Sequence, residues 1–167
     1  MKDINFNDAL STVYDHLKNG GVFLTVAGEP ANTMTIAWAT MGYCWNKPVF
    51  VALVRPQRHT YPLLMKSGAF TISVPTRNPL KKELAFAGSK SGRDLNKFDG
   101  HGLTAAPAQE VGAPIIAECG LHLECRVLLK QDMTADQMSP SIIDMTYRAG
   151  DFHTMFYGEI VRAYTTD

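Results

Sequence analysis

The sequence predicts a mainly β protein, a closed or nearly closed antiparallel barrel with short peripheral helices. Two observations predict it. Six short segments rich in Val, Ile, Phe and Thr are separated by turn signals. The helical stretches between them are too short to serve as crossovers in a doubly wound parallel sheet.

The elements follow in order. Asn7 or Asp8 can cap a first helix that carries Leu10, Val13, Tyr14 and Leu17 near one face and stops at Gly20-Gly21. Strands are expected at residues 22–28, 33–41, 48–54 and 69–74, and again at 121–129 and 153–164. Short helices fall at residues 62–66, ended by Gly68, and at 80–87, with another at 139–145. In the 121–129 strand, Leu121, Leu123, Cys125, Val127 and Leu129 form one row, and His122, Glu124 and Arg126 form most of the other. That alternation reads as half-buried, with His122 and Glu124 on a solvated face or at a subunit contact. Gly158, inside the last strand, marks a bulge or a close backbone approach.

A chain of 167 residues with 46% apolar and 19% charged residues fits one domain, residues 1–167, with an ordinary core. Sixteen basic residues balance sixteen acidic ones, which argues against nucleic acid or an anionic membrane as a partner. No signal peptide or membrane-spanning helix is read from the sequence. Cys44, Cys119 and Cys125 form no disulfide framework, so the expected location is cytoplasmic. Nucleotide-binding glycine loops, HExxH, CxxC and GxSxG are absent, and no metal site is expected.

Three stretches carry chemistry. In residues 32–41 a strand alternation puts Thr33, Thr35, Ala37 and Ala39 on a small, partly hydroxylated face, and Met34, Ile36 and Trp38 on a bulky one. The small face admits a flat ligand against the backbone, or packs on a neighbouring subunit. In residues 54–62, Arg55 and Arg58 bracket a turn, and Thr60 precedes Tyr61-Pro62 at a helix start. Two guanidinium groups beside a helix N-terminus form a phosphate dianion site, or Thr60 is only a cap beside solvated arginines. Residues 88–97 place Lys90, Ser91 and Arg93 in a Gly-rich loop that can add donors to the same phosphate or serve as an ordinary flexible loop.

These pieces, in their order, resemble the flavin reductase-like family and within it the flavoredoxin branch. The matching stretches are Asn32-Thr-Met-Thr-Ile-Ala-Trp38, Trp45-Asn-Lys-Pro48, Arg55-Pro-Gln-Arg-His-Thr60, Ser67-Gly-Ala-Phe-Thr-Ile72, Ser91-Gly-Arg-Asp94 with Lys97, and His153-Thr-Met-Phe-Tyr-Gly-Glu159. The resemblance implies an FMN-binding split barrel, antiparallel and Greek-key-like, that works as a homodimer. It implies that Asn32, Thr33, Met34, Thr35, Ala37, Trp38 and Ala39 lie along the isoalloxazine and ribityl chain. Arg55, Arg58 and Thr60 would hold the phosphate, with Ser91, Lys90 and Arg93. His153 matches a histidine that faces the nicotinamide in reductase relatives, and is the candidate catalytic residue. Relatives of the flavoredoxin type often have Cys-Gly where this chain has Ala87-Gly88.

The resemblance thus implies an FMN-dependent oxidoreductase that takes electrons from NADH or NADPH, or exchanges them with a redox protein partner. The alternative is a flavin-binding electron carrier or storage protein without nicotinamide turnover. A pyridoxamine-phosphate-oxidase-like enzyme and a colourless structural barrel are further alternatives.

Overall fold

The computed structural model describes residues 1–166. The elements are β1 (Lys2–Asp3), α1 (Phe6–Lys18), β2 (Val22–Val26), β3 (Asn32–Ile36), β4 (Ala39–Cys44), β5 (Lys47–Val54), α2 (Thr60–Ser67), β6 (Ala69–Val74) and α3 (Lys81–Ser89). There follow β7 (Ala105–Ala106), β8 (Ile115–Ile116), β9 (Leu121–Asp132), α4 (Pro140–Thr146) and β10 (Thr154–Thr165). The main sheet is antiparallel in the order β3-β2-β6-β9-β10-β5-β4, with β1 added to the end of β10. The sheet is not closed, as in a split barrel. No helix among the described residues is long and apolar enough to cross a membrane.

The core lies inside the curled sheet. Leu24, Phe50, Phe70, Ile72, Leu123 and Phe156 meet there, and α1 closes one end with Ala9 and Val13. Burial of each large apolar side chain contributes about 1.5–3 kcal/mol. Gly158 marks both features expected of it. The β9–β10 register shifts beside it, and a Cβ there would sit 2.7 Å from the Phe70 ring and 2.9 Å from Cys125 Cβ. A smaller cluster of Phe23, Leu84, Ala87, Leu103, Ile116 and Cys119 packs α3 and residues 103–119 on the outside of β2.

Four sequence expectations need correction. Asn5, not Asn7 or Asp8, caps α1, its side chain accepting from the Asn7 N–H at 2.9 Å. The expected 33–41 strand is two strands, interrupted at Ala37 and Trp38. β3 pairs with β2 and β4 with β5, at opposite ends of the sheet. β4 then turns into β5 through Trp45 and Asn46, both at positive φ (52° and 58°), a two-residue hairpin turn matched to strand twist. α2 begins at Thr60, ahead of Pro62, with no side-chain cap.

The fourth correction concerns β9, which is buried on both faces over its first five residues. Residues 104–118 fold across its outer face and supply partners for its polar groups. The Glu124 carboxylate, 0% exposed, accepts from the backbone N–H groups of Gln109, Glu110 and Val111 at 2.6–3.1 Å. His122 Nδ1 lies 3.1 Å from Ser73 Oγ and its Nε2 lies 3.2 Å from Thr166 Oγ1. Burial holds the His122 pKa down at about 4. Neither residue is on a solvated face, and no cluster of metal-ligating side chains exists among the described residues.

Candidate functional site

Two adjoining cavities line the open side of the barrel where β3, the β5–α2 turn and the loop after α3 converge. The first, about 230 Å³, is bounded by Asn32, Met34, residues 57–60, residues 87–93 and Lys97. Four of its side chains, Arg58, Lys90, Arg93 and Lys97, are basic, and no acidic side chain lines it. The second, about 240 Å³, is bounded by residues 34–38, Leu53, Arg55, Arg58 and His153. The two share Met34 and Arg58.

The first cavity is built by tight packing of the 88–97 loop on β3 and α2. Asn32 Nδ2 donates to Thr60 Oγ1 at 2.8 Å. Gly92 lies so close that a Cβ there would stand 2.8 Å from the His59 ring. The Arg93 guanidinium donates to the Gln57 carbonyl at 2.9 Å, and the Arg93 N–H donates to Ser91 Oγ at 3.2 Å. Lys97 is 3% exposed. Its Nζ donates to the carbonyls of Thr33 at 2.8 Å and Ala87 at 2.7 Å, bridging β3 to the last turn of α3. Burial, then the nearby Arg58 charge, lowers its pKa to about 8. The third proton of its ammonium has no acceptor among the described residues, and neither has the Arg58 guanidinium. This donor set suits a phosphate dianion. Burial, then Arg93 and Lys97, also lowers the His59 pKa.

The second cavity is a slot beneath Trp38, which is 49% exposed and lies 5.3 Å from the His153 ring, centroid to centroid. Arg55 stands in its wall, donating to the carbonyl and carboxylate oxygens of Asp151, both at 3.0 Å. Burial, then the Arg55 and Arg58 charges, hold the His153 pKa down at about 4 against the opposing Asp151. The imidazole is therefore neutral at neutral pH.

The structure brings together most of the residues singled out in the sequence. Asn32, Thr60, Lys90, Ser91 and Arg93 line the first cavity; Thr35, Ala37, Trp38, Arg55 and His153 line the second; Met34 and Arg58 line both. Thr33 and Ala39 line neither. The small face divides: Thr33 Oγ1 bonds to Thr25 and Leu24 inside the fold, while Ala37 and Thr35, whose Oγ1 donates to the Leu84 carbonyl at 2.6 Å, line the slot. Asn32 and Met34, on the opposite face, look into the cavities. Of the bulky row, only Ile36 is buried in the core. Sequence reasoning did not assign Lys97, His59 or Tyr147 to the site. The one signal for Lys97 was its place beside the Ser91-Gly-Arg-Asp94 stretch.

A broader cavity of about 810 Å³ opens between the end of α1, residues 75–81 and α3. It is a poorer anion site. Arg77 there donates to the carbonyls of Ala117 and Cys119, and Asp15 adds an opposing charge.

The fold and site thus define an antiparallel barrel open at one side, with a basic pocket joined to a narrow slot. Comparison with known proteins makes the class specific. The family model for the flavin reductase like domain matches residues 14–167, and the chain belongs to that family. An uncharacterised protein of Archaeoglobus fulgidus is 32% identical over 140 residues, 83% of this chain and 68% of that protein. Flavoredoxin of Desulfovibrio vulgaris (Miyazaki F) superposes with a TM-score of 0.69 at 26% identity, over 88% of this chain and 69% of that one. The NADH:FAD oxidoreductase of Streptomyces globisporus has the same fold, with a TM-score of 0.66 at 23% identity, over 99% of this chain and 87% of that one.

Proposed function

We propose that this flavin reductase-like protein binds FMN across the two cavities and is an oxidoreductase that takes electrons from NADH or NADPH. The observation that carries the reading is the unpartnered Arg58 guanidinium where the basic pocket meets the slot. FMN, when bound, supplies the redox chemistry. Arg58, Lys97, Lys90, Ser91 and Arg93 hold its phosphate, with Thr60 at the pocket floor. The backbone of residues 34–38 lies along the ring and its ribityl chain, beneath Trp38. Arg55 acts chiefly in the wall of the slot, because Asp151 already partners its charge. His153 closes the slot as a neutral group. We place a second copy of the chain against the apolar surface of Tyr43, Trp45, Leu128 and Leu129, all more than a third exposed, giving a homodimer. A redox protein is the proposed acceptor.

The test is the absorption spectrum of protein reconstituted with FMN, followed by anaerobic NADH or NADPH. A retained band at about 450 nm that bleaches with one nicotinamide is expected. A retained band that neither nicotinamide bleaches makes the protein an electron carrier, the second reading favoured by the likeness to flavoredoxin. Protein that takes up no flavin overturns both.

Lys97 predicts a pH dependence. A dianion favours the charged form of Lys97, which the flavin-free protein already holds below pH about 8. Above that pH, binding must take up a proton, so FMN affinity should fall by up to about tenfold per pH unit. Titration of FMN fluorescence from neutral to mildly alkaline pH checks this. Lys97→Met should flatten that decline, and an unaltered slope in the variant would remove Lys97 from the phosphate site.

A further inference from the structure

The segment between β9 and β10 has little sequence signal, yet it forms the wall behind His153. α4 ends at Tyr147, which is 4% exposed. The Tyr147 hydroxyl lies 2.7 Å from His153 Nδ1. Its ring stacks on Phe152 at 4.9 Å between centroids, and the Arg55 guanidinium lies 5.4 Å from its centre. Asp151 anchors that arginine from the same loop. With Trp38 on the imidazole as well, the ring has a fixed place. What remains to be set is which nitrogen carries the proton.

Two arrangements satisfy the pair. In one, the Tyr147 O–H donates to Nδ1, and the imidazole proton sits on Nε2. In the other, Nδ1–H donates to the Tyr147 oxygen, whose own proton turns to the Met133 sulfur, 3.7 Å away. An imidazole lone pair is a much better acceptor than a thioether, so the first arrangement prevails. Burial and the Arg55 and Arg58 charges keep the ring from taking a second proton at neutral pH, against the opposing Asp151. The phenol of Tyr147, itself raised in pKa by burial, stays protonated and able to donate. His153 Nε2 has no hydrogen-bond partner among the described residues, and His153 lines the slot.

We propose that Tyr147 is a positioning residue that holds His153 in its Nε2–H tautomer, so that a neutral hydrogen-bond donor faces a carbonyl-type acceptor in the slot. The identity of that acceptor, a flavin or nicotinamide carbonyl, rests on the proposed function; the tautomer does not. A neutral donor orients such a group without adding a third positive charge beside Arg55 and Arg58.

The experiment is a long-range ¹H–¹⁵N correlation spectrum of the histidine rings in flavin-free protein at neutral pH, with His153 assigned by the loss of its signals in His153→Gln. We expect a protonated Nε2 and an unprotonated Nδ1. Tyr147→Phe keeps the stacked wall and removes only the hydroxyl. Its His153 should become a mixture of tautomers, while the buried His122 signals stay unmoved and report an intact fold. A proton on Nδ1 in the unaltered protein, or an unchanged His153 spectrum in Tyr147→Phe, would overturn the proposal. Addition of FMN to the unaltered protein should then shift the Nε2–H signal. Absence of any FMN binding would refute the flavin reading and leave the tautomer assignment standing.

Discussion

Arg58→Ala is expected to weaken FMN binding by about ten- to hundredfold, the loss of one or two charge-assisted hydrogen bonds to a phosphate. Arg58 is singled out because it lines both cavities and its guanidinium is unpartnered among the described residues. Riboflavin, which lacks the phosphate, provides the control. Its affinity should change far less, because the contacts proposed along residues 34–38 would persist. Arg55→Ala should cost less FMN affinity than Arg58→Ala, since it removes a charge already paired with Asp151 at 3.0 Å. Fluorescence titration of flavin-free protein with both ligands makes the comparison. Equal affinity for FMN in Arg58→Ala and the unaltered protein would remove Arg58 from the phosphate site.

Glu124→Ala should damage the fold severely. The carboxylate is fully buried and accepts from three successive backbone N–H groups, those of residues 109–111. Truncation leaves those donors without their acceptor, at about 1–3 kcal/mol for each that stays buried. Part of the segment can swing into water, so we expect a net loss of about 3–5 kcal/mol. For a chain of this size that lowers Tm by roughly 10 °C. Glu124→Gln should fall between, because one amide oxygen still accepts while the NH₂ faces a donor. Thermal and urea unfolding measure both. A Glu124→Ala protein as stable as the parent would show that the 109–111 turn finds another acceptor.

The same residue shows where sequence reading stops. Alternation along 121–129 locates the strand but puts Glu124 on a solvated face or at a subunit contact. What covers that face is a segment lying ten to fifteen residues upstream with almost no regular structure of its own. Most strands were legible because period-two patterning and turn residues are local properties. The 33–41 run concealed its break because Ala37 and Trp38 are as strand-compatible as their neighbours; only pairing to different partners parts β3 from β4. The arginine turn and the Gly-rich loop were legible as donors. Their meeting was not, since it depends on Asn32, Thr60 and Gly92 packing across the fold. Lys97 was hidden for a related reason: a lysine in a polar loop gives no sign that its stem will be buried.

The break at Ala37 and Trp38 has a mechanical meaning. β3 and β4 are the two ends of the sheet, yet only these two residues separate them along the chain. The barrel is therefore a hoop cut once and tied across the cut by a two-residue strap. The slot lies on that strap. A planar ligand bound in the slot would lie across the seam of the barrel and bridge the two rims of the sheet.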